Sequence, residues 1–98
     1  MEELMKNNIL YDVIFFWDNT REDIEYKQYC SETLCNILKY NPELSVKLVY
    51  EAAQKGKTLI MTTRNIEKAT EIRDTLLAME LNCQICPTQT DQLIYKKC

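Results

Sequence analysis

The 98 residues carry 12 lysines and arginines against 15 aspartates and glutamates, a formal charge of −3 with no histidine. This is enough chain for one domain around one core, and its charge excludes an electrostatic grip on a nucleic-acid backbone. One glycine and two prolines exclude an all-β fold of many tight turns, and no apolar run is long enough to cross a bilayer.

The start MEELMKNN lacks the apolar segment of a signal peptide, and the five cysteines are odd in number. The expectation is therefore a reducing compartment, the cytoplasm or an equivalent such as an organelle stroma, with free thiols. Residues 1–10 read as a short lead-in whose Ile9 and Leu10 can join the first strand. Tyr11 to Phe16 is rich in aromatic and β-branched residues and breaks off at Trp17-Asp18-Asn19. Such a run predicts a central strand buried on both faces, delivering polar groups to a rim. Thr20 to Asp23 is a charged loop, with Thr20 or Asp23 as a helix cap.

From Ile24 to Tyr40 the apolar positions 26, 30, 34, 37 and 38 form one helical stripe. Asn41-Pro42-Glu43 ends that helix and starts another, with Asn41 as N-cap and Pro42 in the first turn. The second helix should run to about Gln54 with Leu44, Leu48, Val49, Ala52 and Ala53 inward, and Gly56 should end it in left-handed geometry. Lys57 to Thr63 predicts a second strand, and Ile66 to Glu80 a third helix with Ile66, Ala69, Ile72, Leu76 and Met79 on one face. Leu81 to Pro87 predicts a third strand, with Pro87 at its end or on an edge. Residues 88–98 carry no pattern and read as a flexible tail. The order β-α-α-β-α-β predicts an α+β sandwich, a three-stranded antiparallel sheet against three helices, over residues 11–87.

Candidate chemistry is sparse. Asp18 and Asn19 read first as turn residues and second as a ligand-binding rim, and Trp17 equally as a platform or as cover for the sheet edge. Cys83-x-x-Cys86 has metal or dithiol spacing, yet in a strand residues three apart leave opposite faces. Cys30 and Cys35 are about 140° apart around a helix. No nucleophile triad or phosphate loop is present, so the reading is of a protein that is not an enzyme and takes no cofactor.

The stretch from Tyr11 to Asn19, with Gln54-Lys55-Gly56-Lys57 and Asn82-Cys83-Gln84-Ile85-Cys86, resembles the ClpS family of protease adaptors. Those adaptors bind the N-terminal residue of a substrate and hand it to a Clp ATPase. The first stretch is similar to the family's Tyr-x-Val-Ile-Leu-x-Asn-Asp-Asp strand and acidic rim. The resemblance implies that Asp18 helps hold the substrate's ammonium, a role that suits a carboxylate. It places Trp17 where the family has an amide, Asn19 where it has a second acid, and Ala53 where it has an amine-contacting histidine. It puts Val49, Ala52, Lys27 and Cys30 on the pocket wall, and makes Thr20 to Asp23 an insertion.

The expected function is a non-catalytic adaptor that delivers N-terminal peptides of substrate proteins to a Clp-type AAA+ ATPase, with no nucleic acid and no membrane among its partners. Two alternatives stand beside it. One is a ClpS-like interaction module without N-terminus recognition, since the histidine is missing and the rim altered. The other is a thiol-based metal or redox regulator using Cys83 and Cys86. The C-terminal domain of the ribosomal stalk protein shares the architecture, but its glycine-rich turn and lysine-rich helix face are not evident here.

Overall fold

The computed structural model describes residues 9–89; the rest of the expected lead-in and tail lies outside the described residues. Ile9–Phe16 forms strand β1, Ile24–Leu38 helix α1, Pro42–Lys55 helix α2, Lys57–Thr63 strand β2, Ile66–Ala78 helix α3 and Asn82–Gln89 strand β3. The sheet has the order β2-β1-β3, and β1 is antiparallel to both neighbours. The apolar run from Tyr11 thus becomes the central strand, with Asp12 through Phe15 buried. Pro87 lies within β3 opposite Tyr11, and an edge strand tolerates a residue with no N–H.

Period-two alternation turns Val13, Phe15 and Trp17 toward the helices. There they meet Tyr26, Cys30 and Leu34 of α1, Val49 and Ala52 of α2, and Ala69, Ile72 and Leu76 of α3. The opposite face also buries Asp12, Ile14 and Cys86. Asp12 Oδ1 accepts a hydrogen bond from Thr62 Oγ1 at 2.9 Å. The register between β1 and β2 shifts at Val13/Ile14, where Met61 and then Leu59 are the partners. Ile60 is therefore left over as a bulge, and its side chain is buried in the core.

Each helix begins at a side-chain cap. Asp23 accepts from the Tyr26 N–H (3.2 Å), Asn41 from the Leu44 N–H (2.7 Å), and Asn65 from the Glu67 and Lys68 N–H groups (2.9 and 3.3 Å). Gly56 closes α2 at φ 95°, where a Cβ would strain the backbone although nothing lies near it. Asn41→Ala and Asn65→Ala should each lower stability by about 1 kcal/mol. The caps serve different helices and share no partner, so their effects should add. Urea unfolding checks this: the midpoint should fall with an unchanged slope, and a double variant no weaker than either single one would contradict it.

Three expected core positions are exposed. Leu44 is exposed and Ser45 is fully buried in its place, because the packed stripe of α2 is Ser45, Val49 and Ala52, and Leu44 lies one residue off it. Ser45 is tolerated there because its Oγ donates to the Asn41 carbonyl at 3.2 Å. In α3 the middle packs, through Ala69, Ile72 and Leu76. Ile66 in the capped first turn and Met79 beyond the last helical residue are exposed.

Candidate functional site

The end of β1 is fixed from two sides. The Trp17 N–H donates to the Gly56 carbonyl at 3.0 Å, carrying the ladder one step beyond the strand to the junction of α2 and β2. Its indole is only 8% exposed. The ring meets Phe15 edge-on at 6.3 Å and Tyr26 at 5.0 Å, and Nε1 donates to the Arg21 carbonyl at 3.2 Å. Trp17 is thus a core residue at the rim, and its polar atom tethers the loop that follows.

That loop is a tight turn. The Arg21 N–H donates to the Asp18 carbonyl at 2.9 Å. Asp18 Oδ1 accepts from the Thr20 N–H at 3.0 Å and from Thr20 Oγ1 at 2.7 Å. The Thr20 hydroxyl, the Thr20 N–H and the Arg21 charge together hold the Asp18 carboxyl below its ordinary range, against a smaller opposing effect of burial. A lowered pKa means that this contribution is complete above the ordinary carboxylate range and is lost as pH falls through the folded value. Arg21 lies 4.2 Å from the Tyr26 ring centroid, with Nε 3.4 Å from Asp23 Oδ1. The loop from Thr20 to Asp23 therefore folds down over Tyr26.

Trp17, Asn19, Arg21, Glu22, Lys27 and Ala53 line one open cleft of about 330 Å³ between this loop and the helices α1 and α2. Four of the residues named from the sequence meet here: Trp17, Asn19, Lys27 and Ala53. Asp18 borders two neighbouring hollows instead, both shared with Tyr26 and Glu80. Cys30, Val49 and Ala52 have no exposed surface and lie in the core with Trp17 and Tyr26. Arg21 and Glu22 line the cleft without having been singled out. No local pattern marks them, because their placement depends on the indole tether of the loop.

The cleft offers two cations, Arg21 and Lys27, and one carboxylate, Glu22. Neither the Asn19 amide nor the Glu22 carboxylate makes a hydrogen bond among the described residues, so both remain available as acceptors. A ligand amine could be received by these two oxygens and a carboxylate or peptide carbonyl by the two cations.

The cysteines do not assemble. Cys83 pairs with Phe15 and Cys86 with Asp12, so they leave opposite faces of β3. Burial pushes the Cys83 thiol up to about 12, with a further push from Cys30, and burial pushes Cys30 up to about 11. Both are held as protonated thiols, the unreactive form. Cys30, Cys35 and Cys83 are free. Cys98 lies outside the described residues. Among the described residues no three His, Cys, Asp or Glu side chains are placed to hold a metal ion. No helix among them is long and apolar enough to cross a membrane.

No family model and no curated protein matches the sequence. Among solved structures, the chain is similar to ClpS2 of Agrobacterium tumefaciens bound to L-phenylalaninamide, with a TM-score of 0.60 and 13% identity. The similarity covers 84% of this chain and 98% of that one. The chain has a ClpS-like fold.

Proposed function

We propose that this protein is a non-catalytic adaptor that binds the N-terminus of a peptide or protein at the cleft between the Trp17–Glu22 loop and Ala53. The observation that supports it best is the convergence of Trp17, Asn19, Lys27 and Ala53 on that cleft, on a fold shared with a protein solved with L-phenylalaninamide. Glu22 and Asn19 receive the ammonium, in place of the histidine that the sequence lacks. Asp18 adds negative charge nearby while it holds the turn. Lys27 and Arg21 face the peptide's carbonyl groups. The recipient of the bound protein is a Clp-type AAA+ ATPase, and the setting is the cytoplasm.

The test is fluorescence anisotropy with peptides beginning in Phe, Leu, Tyr or Trp and labelled at the other end, each beside its N-acetylated twin. A free amine should bind about tenfold or more tighter than its acetylated twin, and Glu22→Gln should remove most of that difference. Failure of every free N-terminus to bind, or equal binding of the twins, would sink this reading.

A second reading has one observation in its favour. Trp17 and Tyr26 are packed with Cys30, Val49 and Ala52, the residues that would otherwise wall a pocket for an N-terminal side chain. The protein would then be a ClpS-like docking module that holds a peptide across the cleft without selecting its first residue. Equal binding of acetylated and free peptides is its signature. A thiol-based regulator is the least supported, since Cys83 and Cys86 leave opposite faces of β3.

A further inference from the structure

Lys27 stands where the cleft ends and a second depression begins. Its ammonium lies 5.0 Å from the centroid of the Tyr50 ring and forms no ion pair among the described residues. Beyond it a hollow of about 150 Å³ opens between α1 and α2, walled by Ile24, Ser31, Val46 and Tyr50. Ser31 and Val46 also border a third hollow, of about 280 Å³, that reaches Cys35 and Pro42. Lys27 is common to the first two depressions, and Ser31 with Val46 to the last two, so the three form one continuous path.

The residues along this path are a second apolar stripe, set apart from the stripe that packs on the sheet. Pro42, Val46 and Tyr50 recur every four residues on α2, outside the buried set Ser45, Val49 and Ala52. Ile24 is 69% exposed, Tyr50 48% and Val46 43%. An apolar row flanked by an unpaired cation has a definite complement: an apolar segment carrying a negative charge at one end. From Lys27 to Cys35 the helix axis advances about 12 Å, the length of about four residues of extended chain. Hollows this small accept single side chains, whereas a helix with its side chains is about 10–12 Å across.

We infer that the α1–α2 groove holds the residues that follow the one seated in the cleft, as an extended segment of the same client peptide. An acidic side chain lies over Lys27, and the next apolar side chains lie against Val46 and Tyr50. This rests on the cleft being the anchoring site, and the test separates the two. Two peptides of equal length begin with the same Phe; one continues in Gly and Ser, the other with an Asp followed by alternating Leu and Ser. Anisotropy is measured on the wild type and on Val46→Glu and Tyr50→Ala, whose side chains are too exposed to be needed for folding.

The acidic–apolar peptide should bind about tenfold tighter than the Gly–Ser peptide. Both substitutions should remove that advantage while leaving the Gly–Ser affinity unchanged. Equal affinities, or an advantage that both variants retain, would overturn the groove and leave the cleft standing. Binding of the acidic–apolar peptide alone, lost in Val46→Glu, would uphold the groove and remove the cleft as anchor. A concentration-dependent dimer in sedimentation, dissolved by Val46→Glu, would identify a second copy as the occupant and overturn the peptide assignment.

Discussion

Trp17→Ala should lower the stability of the domain by about 3–5 kcal/mol, the range for removing a buried large aromatic. Three things are lost together. The ring contacts with Phe15 and Tyr26 go, the hydrogen bond that tethers the loop at the Arg21 carbonyl goes, and a cavity opens beside Cys30, Val49 and Ala52. A cavity with such a lining is apolar and should take up free indole, raising the variant's melting temperature with indole concentration as binding to the native state requires. Wild-type protein should not respond. If Trp17 were instead an exposed platform for a ligand, the substitution would cost under about 1 kcal/mol, and indole would change nothing. Thermal unfolding across an indole series decides between them.

Ala53→Arg should lower peptide affinity by more than about tenfold with little change in melting temperature. Ala53 sits in the last turns of α2 and borders the cleft, while Ala52 beside it is fully buried. An arginine keeps good helix propensity there and can carry its charged end out to solvent. Its stem, however, occupies the cleft, and its charge joins those of Arg21 and Lys27 against an incoming ammonium. Anisotropy with a Phe-initiated peptide checks it beside a melting curve. A variant that binds as well as the wild type would place the peptide elsewhere on the molecule.

Much of the fold was legible because its signals are local. The aromatic and β-branched run from Tyr11 became the central strand, Asn41-Pro42 a cap and first turn, and Gly56 a left-handed stop. Ser45 was not legible, because a buried hydroxyl is acceptable only through its bond to the Asn41 carbonyl, which appears once the helix exists. The candidate cleft was legible only as a set of residues. The resemblance led to Trp17, Asn19, Lys27 and Ala53, which share the cleft. It gave no sign that Trp17 would lie with Cys30, Val49 and Ala52 in the core, since that depends on which way one ring turns at the strand's end. Nor did it mark Arg21 or Glu22, whose positions follow from the turn that Asp18 and Thr20 close.

The same turn organises the loop that the resemblance marks as an insertion. Thr20 to Asp23 begins in a carboxylate–hydroxyl turn, places Arg21 on the Tyr26 ring and ends in the Asp23 cap of α1. The acidic rim expected from the resemblance is thereby divided. Asp18 is committed to the turn, and Glu22 becomes the one carboxylate of the cleft.

Amide-resolved NMR tests most directly whether a peptide's first residues lie in this cleft. Titrating labelled protein with a Phe-initiated peptide should shift the amides of Asn19, Glu22, Lys27 and Ala53 together, with one dissociation constant, and the N-acetylated peptide should shift them far less. Shifts confined to α3 or to the exposed face of β2, with these four amides unmoved, would contradict the account.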